Sequence, residues 1–186
     1  MAQSKALKTI KTKEGVINIT ETLFQRRKLF LYDAVTPDSV SDLTQCIMML
    51  DSVNHDPIEL YINSPGGSID DGFALIDLMR NVKSPIHTIA QGTVASMASL
   101  IFIAGNLRFA YKHSVLMYHD LHAGVADYGA KMKDRVDFFE KSWQGIKTHI
   151  QTYTKLTDIE IEASRNGELW IFAEEAMKKG MVDKIL

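Results

Sequence analysis

The sequence predicts an α/β fold built on a core of βαβ repeats, and three observations indicate this class. Short apolar runs bounded by turn residues alternate with helical patterns from Lys28 to about Phe109. A glycine-rich loop ends one of these runs and leads into a helical pattern. A length of 186 residues, 46% hydrophobic and 24% charged, suits one globular domain that spans residues 1–186.

The first half of the predicted core holds two strands, each followed by a helix. Residues 29–32 form the first predicted strand, and the Thr-Pro-Asp sequence from Thr36 has the cap, the proline and the early acid of a helix start. Residues 58–62 form the second predicted strand, which ends in the Asn-Ser-Pro-Gly-Gly loop at 63–67. Both following helices carry apolar residues at helical spacing, which predicts one buried face on each.

The second half of the core is predicted to have shorter elements. A third strand at 86–90 is broken by Gly92, and the small, apolar stretch 95–104 is typical of a buried helix. Short strands are predicted at 108–111 and 115–118, and another at 181–186.

The helical pattern after residue 130 has seven apolar positions spaced alternately four and three apart: Met132, Val136, Phe139, Trp143, Ile146, Ile150 and Tyr153. A row of seven apolar positions along one helix is longer than a small α/β core covers. We therefore expect part of it to project and pack on another copy of the chain. An ordinary amphipathic helix on its own sheet is the alternative. A capping box at Thr157 opens a shorter helix, and Gly180 closes another at 173–179.

Composition and charge exclude several classes of function. A formal net charge of -2 indicates no nucleic-acid groove, and the longest apolar run, 94–105, is far short of the ~20 residues that cross a bilayer. Cys46 is the only cysteine, which excludes an intrachain disulfide and a metal site built from several cysteines. No metal or cofactor is expected. The lysine-rich start has no continuous apolar stretch, which predicts a cytoplasmic protein.

Ser96 is the candidate nucleophile. It follows the third strand and the glycine turn, at the point where the apolar helix begins. The unpaired N–H groups and the positive dipole end of a helix start stabilise the oxyanion that forms when a serine attacks a carbonyl. A serine at this position can equally be only a helix cap. In the same way, the Ser-Pro-Gly-Gly loop at 64–67 can complete an oxyanion hole or be only a tight turn.

His119 is the candidate general base because it directly follows the predicted strand at 115–118. In α/β folds, ligand sites collect at the strand ends where the serine and the glycine loop also lie. His122 is a nearby competitor. Asp120 is badly placed to orient His119, since neighbouring strand residues point to opposite faces.

Four motifs in one order resemble the ClpP family, the proteolytic subunit of Clp proteases. They are Tyr-Ile-Asn-Ser-Pro-Gly-Gly-Ser at 61–68, Gly-Thr-Val-Ala-Ser-Met-Ala-Ser at 92–99, Leu-Met-Tyr-His at 116–119, and Ala-Glu-Glu-Ala at 173–176 with Gly-Met-Val-Asp at 180–183. The resemblance runs from about Val16 to Leu186. Together the four motifs are far more specific than any one of them.

The resemblance implies a crotonase-like (ClpP-type) fold with an N-terminal axial segment at 1–27 and a protruding handle helix at about 127–156. It implies a serine endopeptidase in which two stacked heptameric rings enclose the active sites. The backbone N–H groups of Gly67 and Met97 would hold the oxyanion. The segments 67–70 and 121–125 would flank an extended substrate peptide. The substrate-binding residues so implied are Ser68, Ile69, Leu121, His122 and Ala123.

The third member of the implied triad departs from the family pattern. The family has an aspartate two residues before the aromatic that here is Trp170, and Glu168 stands in its place. A glutamate can orient an imidazole, although its extra methylene changes the reach. Glu168 is therefore the predicted acid, with Asp120, Asp127 or water as the alternatives.

Partners and rival functions follow from the same resemblance. The chain has no Gly-x-x-x-x-Gly-Lys-Ser/Thr phosphate loop, so a separate AAA+ unfoldase is the expected source of ATP dependence. Peptides and unfolded proteins are the expected substrates. A ClpP-like viral maturation protease uses the same triad on a capsid precursor, and a non-catalytic ClpP-like subunit would keep the fold without the chemistry.

Overall fold

The computed structural model describes residues 9–12, 15–121 and 129–186. Within these ranges the chain forms nine strands and seven helices in a mixed α/β arrangement, as predicted. The strands are β1 (Thr9–Thr12), β2 (Gly15–Asn18), β3 (Lys28–Leu31), β4 (Ile58–Ser64), β5 (Ile86–Ala95), β6 (Leu107–Ala110), β7 (Val115–Tyr118), β8 (Leu169–Phe172) and β9 (Lys184–Ile185). The helices are α1 (Ile19–Gln25), α2 (Pro37–Val53), α3 (Ile69–Asn81), α4 (Met97–Ile103), α5 (Gly129–Tyr153), α6 (Asp158–Arg165) and α7 (Ala173–Lys178).

A seven-stranded sheet forms the centre of the molecule. The strands β3, β4, β5, β6 and β9 lie in that order and pair in parallel. β7 adds to β5 in parallel, and β8 adds to β7 in the antiparallel direction. The parallel pairs are joined through helices, as βαβ connections require. The predicted α/β class is thereby confirmed.

The third strand of the core does not end at Gly92, as the sequence predicts, but runs on to Ala95. Gly92 has a φ of +73°, and the register with β4 shifts between Ile62 and Ser64. A glycine in this conformation makes a bulge that bends a strand without ending it. The first half of β5 therefore pairs with β6, and the second half pairs with β7.

The hydrophobic core lies between this sheet and the helices that cover it. The apolar face predicted for α2 is buried, and it consists of Val40, Leu43, Ile47 and Leu50. All seven residues of α4 are buried, so the predicted buried helix at 95–104 is confirmed with narrower bounds. None of the helices in the described ranges combines the length and the hydropathy needed to span a bilayer.

The predicted helix ends are confirmed at three places. Thr36 caps α2 through the backbone N–H of Ser39, with Pro37 in the first turn. Thr157 and Glu160 form the predicted capping box of α6. Gly180 has a φ of +68° directly after the last turn of α7, a conformation that favours glycine at a helix C-terminus.

The row of apolar positions along α5, from Met132 to Tyr153, divides into a buried half and an exposed half. Trp143, Ile146 and Ile150 are buried in the core, whereas Met132 and Val136 are 42% and 50% exposed. The described helix covers 129–153 of the predicted 127–156, and residues 127 and 128 lie outside the described ranges. The N-terminal half of α5 thus presents apolar side chains that remain exposed in the described part of the chain.

Several elements differ from the sequence-based expectation. The antiparallel pair β1–β2 and the helix α1 lie within the predicted N-terminal segment 1–27, for which no elements were predicted. The strand β8 was also not predicted, and the predicted strand at 181–186 is reduced to Lys184–Ile185. The pairing of β8 with β7 directly positions the candidate site.

Candidate active site

Three adjacent strands, in the order β5, β7 and β8, bring the predicted catalytic residues to one edge of the sheet. In the parallel pair of β5 and β7, Ala95 lies opposite Met117. In the antiparallel pair of β7 and β8, Tyr118 lies opposite Leu169. The residues one step beyond these pairs are Ser96, His119 and Glu168. The pairing register therefore sets these three residues next to one another.

Ser96 has a backbone conformation that is rare for a residue with a side chain. Its φ is +54° and its ψ is -127°, at the sharp turn between β5 and α4. Its N–H donates to the carbonyl of Met117 at 2.8 Å, which ties the turn to β7. Its side chain makes no capping hydrogen bond to α4. A strained turn of this kind exposes a nucleophile at the top of a sheet. Ser96 therefore stands at the N-cap position of α4 without capping the helix through its side chain.

The loop after β4 contacts this turn at van der Waals distance. Gly66 has a φ of +90°, and a Cβ built on it would lie 2.6 Å from the carbonyl oxygen of Ala95 and 2.7 Å from the Cβ of Ser96. The N–H of Gly66 donates to the hydroxyl of Ser64 at 3.1 Å, which holds the loop from within. Only glycine fits at this contact.

The next glycine is held from its other side by Val35. A Cβ on Gly67 would lie 2.2 Å from the carbonyl oxygen of Val35. The N–H of Val35 donates to the carbonyl of Gly66 at 2.9 Å, and the N–H of Ser68 donates to the carbonyl of Val35 at 2.8 Å. The N–H of Gly67 takes no part in either of these two hydrogen bonds. The N–H of Met97, at the first position of α4, is among those that a helix does not satisfy.

The glutamate predicted as the triad acid lines a cavity together with the histidine. This cavity of about 250 Å³ is bordered by His119, Glu168 and Arg165. Glu168 is exposed, and one oxygen of its carboxylate accepts a hydrogen bond from the indole N–H of Trp170 at 2.9 Å. Such a bond leaves the second carboxylate oxygen for another donor.

Asp120 is occupied by partners of its own. Its carboxylate accepts from the backbone N–H of Leu121 at 2.7 Å and from the guanidinium of Arg165 at 3.4 Å. The same guanidinium pairs with Glu140 and lies 5.4 Å from the ring centre of Trp143. The pKa of Arg165 is raised, first by the bond to Glu140. Arg165 therefore links α5 and α6 to the segment that follows His119, a role that the sequence did not indicate.

A second cavity of about 230 Å³ opens beside the serine. Ser96, Gly67 and His119 line it at the strand ends, and Ile146 and Trp143 of α5 line it as well. Its other apolar lining residues are Ile69, Met97, Leu100, Leu121 and Ile150. The arrangement provides a hydroxyl, an imidazole, two backbone N–H groups and an adjoining apolar pocket.

Two buried polar atoms belong to residues that line this cavity. The hydroxyl of Tyr118 and the indole N–H of Trp143 have no hydrogen-bond partner within the described part of the chain. Burial raises the pKa of the Tyr118 hydroxyl, and the nearby charge of Arg108 lowers it to a smaller extent. Both atoms are closed off from solvent, so they lie behind the cavity wall and do not face the cavity.

The predicted substrate-binding residues fall into two groups. Ser68 caps α3, Ile69 begins that helix, and Leu121 is half-buried at the cavity. The predictions for His122 and Ala123 lie outside the described residues. A further residue at the site, Asn63, was not predicted; its side-chain oxygen accepts from the N–H of Thr93 at 3.2 Å and so holds the bulge of β5.

Comparisons with known proteins agree with this arrangement. The family model described as Clp protease matches residues 11–186. The ATP-dependent Clp protease proteolytic subunit 1 of Shouchella clausii is 31% identical over 176 residues, which cover 93% of this chain and 91% of that protein. The corresponding subunit 2 of Synechococcus sp. (strain CC9605) is 28% identical over 93% of this chain and 89% of its own length.

A third relative aligns with slightly more of this chain. The ATP-dependent Clp protease proteolytic subunit 2 of Treponema denticola is 27% identical over 184 residues, which cover 95% of this chain and 92% of that protein. The similarity thus includes the glycine loop, the serine turn and all three strands that carry the candidate residues.

Proposed function

This chain belongs to the Clp protease family, and from that premise we propose that it is a serine endopeptidase that cleaves peptides and unfolded proteins. Ser96 is the nucleophile, His119 the general base and Glu168 the acid that orients the imidazole. The backbone of Ser96 is the observation that carries the proposal. Its φ of +54° lifts the hydroxyl out of α4 and toward the cavity that His119 and Gly67 also line.

The first half of the reaction forms an acyl-enzyme. The Ser96 oxygen attacks the carbonyl carbon of the scissile bond while His119 takes the hydroxyl proton. The N–H groups of Gly67 and Met97 donate to the oxyanion of the tetrahedral intermediate. As the C–N bond breaks, His119 returns the proton to the leaving amine. The N-terminal part of the substrate then remains as an ester on Ser96.

The second half repeats the same steps with water. His119 takes a proton from a water molecule, whose oxygen attacks the ester carbonyl. The same two N–H groups stabilise the second oxyanion, and the proton passes to Ser96 as the ester bond breaks. The products are a new carboxyl terminus, a new amine and the free enzyme.

The substrate peptide is proposed to lie extended across this edge of the sheet. Gly67, Ser68 and Ile69 would flank it on one side, and Leu121, His122 and Ala123 on the other. The bridge between Val35 and Gly67 supports this geometry, since it pairs the backbone of the glycine as in a parallel strand. An added strand obtains its affinity from main-chain hydrogen bonds.

We also propose that α5 joins copies of the chain into two stacked heptameric rings. The apolar side chains of Met132 and Val136 support this, because they are neighbours on one face of the helix and are 42% and 50% exposed in the single chain. Packing against a second copy would bury this surface. Peptides would then reach the active sites only through the ring, and the segment 1–27 would lie at its axis.

A separate ATP-dependent unfoldase is the proposed partner. The relatives are named as proteolytic subunits of ATP-dependent proteases, which supports a division of labour between two proteins. The proposed compartment is the cytoplasm, where such a partner has ATP available.

A non-catalytic member of the assembly is the second candidate, and one contact favours it. The Glu168 carboxylate accepts a hydrogen bond from Trp170, which occupies one of the two oxygens that could orient His119. In such a protein the serine turn would remain while the chemistry would be lost.

Labelling with a fluorophosphonate probe distinguishes the two candidates. The assembled wild-type protein is expected to take up the probe, and Ser96→Ala is expected to lose all labelling. Ser41→Ala is the matched control, because Ser41 is an exposed serine of α2; it should label like the wild type. Peptide hydrolysis should follow the same pattern. Absence of labelling in the assembled wild type would favour the non-catalytic role.

A further inference from the structure

We propose that Arg165 is a positioning residue for the reaction, because it binds the carboxylate of Asp120 and compensates its charge. With Asp120 held in this way, Glu168 is the acid left to orient His119. This inference rests on the proposed peptidase function, in which His119 is the general base. It goes beyond the linking role of Arg165, since it assigns to this residue an effect on the protonation of the imidazole.

Contacts from three parts of the chain hold the guanidinium of Arg165. The residue is the last of α6, its Nη2 pairs with Glu140 of α5, and its Nε donates to the carboxylate of Asp120 at 3.4 Å. The guanidinium carbon also lies over the ring of Trp143, at 5.4 Å from the ring centre. Arginine suits this place, because its planar group can donate in two directions and stack on an aromatic ring at the same time.

Both carboxylate oxygens of Asp120 accept a hydrogen bond. Oδ1 accepts from the backbone N–H of Leu121 at 2.7 Å, and Oδ2 accepts from Arg165. Because Asp120 directly follows His119, the two Cα atoms are about 3.8 Å apart. Without the guanidinium, the charge of the carboxylate would therefore act on the imidazole at short range, and Oδ2 would be available to it as an acceptor.

Glu168 is held less completely than Asp120. It borders the same cavity as His119 and Arg165. Its Oε2 accepts from the indole N–H of Trp170 at 2.9 Å, which leaves Oε1 for another donor. Of the two acids at this cavity, the structure thus ties one to α6 and leaves the other with an oxygen that can accept from the imidazole.

The charged groups around His119 set the direction of the effect. In the described part of the chain, the titratable side chains that share a cavity with it are Tyr118, Asp120, Arg165 and Glu168. Burial raises the pKa of Tyr118, so its hydroxyl stays neutral. A negative charge beside an imidazole favours its protonated form, and the guanidinium, which stays protonated throughout, offsets the charge of Asp120. Glu140 pairs with the guanidinium but lines neither cavity. Water screens the two charges in part, since the side chains of Arg165 and Asp120 are 30% and 38% exposed.

The test is the pH dependence of kcat/KM for one fluorogenic peptide. In the assembled wild-type protein, kcat/KM is expected to rise with pH as His119 loses its proton. Arg165→Met should move the midpoint of this rise to higher pH by about 0.5 unit, because the charge of Asp120 is then uncompensated. Asp120→Asn should move the midpoint to lower pH by a similar amount. It leaves the contacts of Arg165 with Glu140 and Trp143 in place, so it decides the question if Arg165→Met fails to assemble.

Three further variants separate this effect from a loss of structure. Arg165→Lys keeps the positive charge, and the double variant Arg165→Met with Asp120→Asn removes both charges; each should keep the midpoint within about 0.2 unit of the wild type. Lys147→Met breaks a different ion pair between α5 and α6, the one with Glu162 at 2.8 Å, and should leave the midpoint unchanged. A wild-type midpoint in Arg165→Met or in Asp120→Asn overturns the proposal. So does a double variant that is displaced as far as Arg165→Met.

A chemical measurement separates this proposal from the peptidase function. Diethyl pyrocarbonate modifies the neutral form of an imidazole, and tandem mass spectrometry distinguishes modified His119 from modified His122. In the Ser96→Ala background, which cannot form the acyl-enzyme, the midpoint of the modification rate of His119 should still move to higher pH with Arg165→Met and to lower pH with Asp120→Asn. These shifts support the proposal even if the wild type fails to hydrolyse the peptide. One common midpoint in all three proteins overturns it even if hydrolysis is found.

Discussion

A methyl group on Gly66 would lie 2.7 Å from the Cβ of Ser96, closer than two carbon atoms approach without a bond. The glycine loop and the serine turn therefore meet through backbone and Cβ atoms, with no side chain between them. This contact fixes the distance between the nucleophile and the neighbouring N–H of Gly67. The position of the oxyanion hole depends on it.

Gly66→Ala should abolish peptide hydrolysis and lower the free energy of unfolding by about 2 kcal/mol or more. The substitution adds a steric overlap to a backbone whose φ is +90°. The control is Gly145→Ala on α5, where a Cβ meets nothing within 4 Å. The free energy of unfolding of that variant should rise by about 0.5–1 kcal/mol, because alanine has a higher helix propensity than glycine. Chemical denaturation at one protein concentration measures both. A fully active Gly66→Ala protein would contradict the close contact.

Ser96→Gly should be more stable than Ser96→Ala by about 1 kcal/mol, while both variants lose all activity. Glycine adopts a φ of +54° without the steric cost that alanine retains. Thermal unfolding of the two proteins side by side tests this. The opposite effect is expected two residues further on, where Ala98→Gly inside α4 should lower the melting temperature. Equal melting temperatures for Ser96→Gly and Ser96→Ala would mean that the turn is relaxed.

Glu168→Gln should lower kcat at least a hundredfold if Glu168 orients His119, because the amide cannot stabilise the imidazolium that forms in the reaction. Glu174→Gln, an exposed acid in the first turn of α7, is the matched control and should keep full activity. Trp170→Phe removes the competing indole donor and should not reduce kcat. An unchanged kcat in Glu168→Gln would assign the orienting role to another group.

The contribution of Glu160 to stability should depend on pH in the acidic range. Bonds from the Lys179 ammonium, and then from the backbone N–H and hydroxyl of Thr157, lower the pKa of Glu160 to about 2. Since the unfolded value is about 4.3, the stabilisation is complete above that pH and is lost as the pH falls toward 2.

Glu160→Gln should therefore have a lower melting temperature than the wild type at pH 7, and the difference should shrink below pH 4. Lys179→Met, which removes the other partner, should show the same trend. Melting curves at pH 7, 5, 4 and 3 measure both. A difference that stays constant over this range would show that the carboxylate is not held by these bonds.

The fold could be predicted as far as local patterns specify it. The apolar spacing from Val40 to Leu50 and the caps at Thr36 and Thr157 depend on neighbours within one or two turns, and all were confirmed. The strand β8 was missed because only Ile171 of its four residues is buried. Its existence depends on pairing with β7, which is distant in the sequence.

In the site, too, the features that depend on local patterns were predicted and those that depend on contacts between distant residues were missed. The serine, the histidine and the glycine loop follow from strand ends and from the motif order. The strand break predicted at Gly92 was wrong, because the side chain of Asn63 supports the bulge from the adjacent strand. The linking role of Arg165 depends on contacts between α5, α6 and the strand ends. No spacing in the sequence encodes those contacts.

The strand β5 belongs to two halves of the sheet, because its first residues pair with β6 and its last residues pair with β7. The strands β7 and β8, which carry the histidine and the glutamate, are attached to the rest of the sheet only beyond the Gly92 bulge. This edge can open as a local unit while the β3–β6 part stays folded. We therefore expect the amide hydrogens of β7 and β8 to exchange before those of β4, and we expect a partner that covers this edge to slow their exchange.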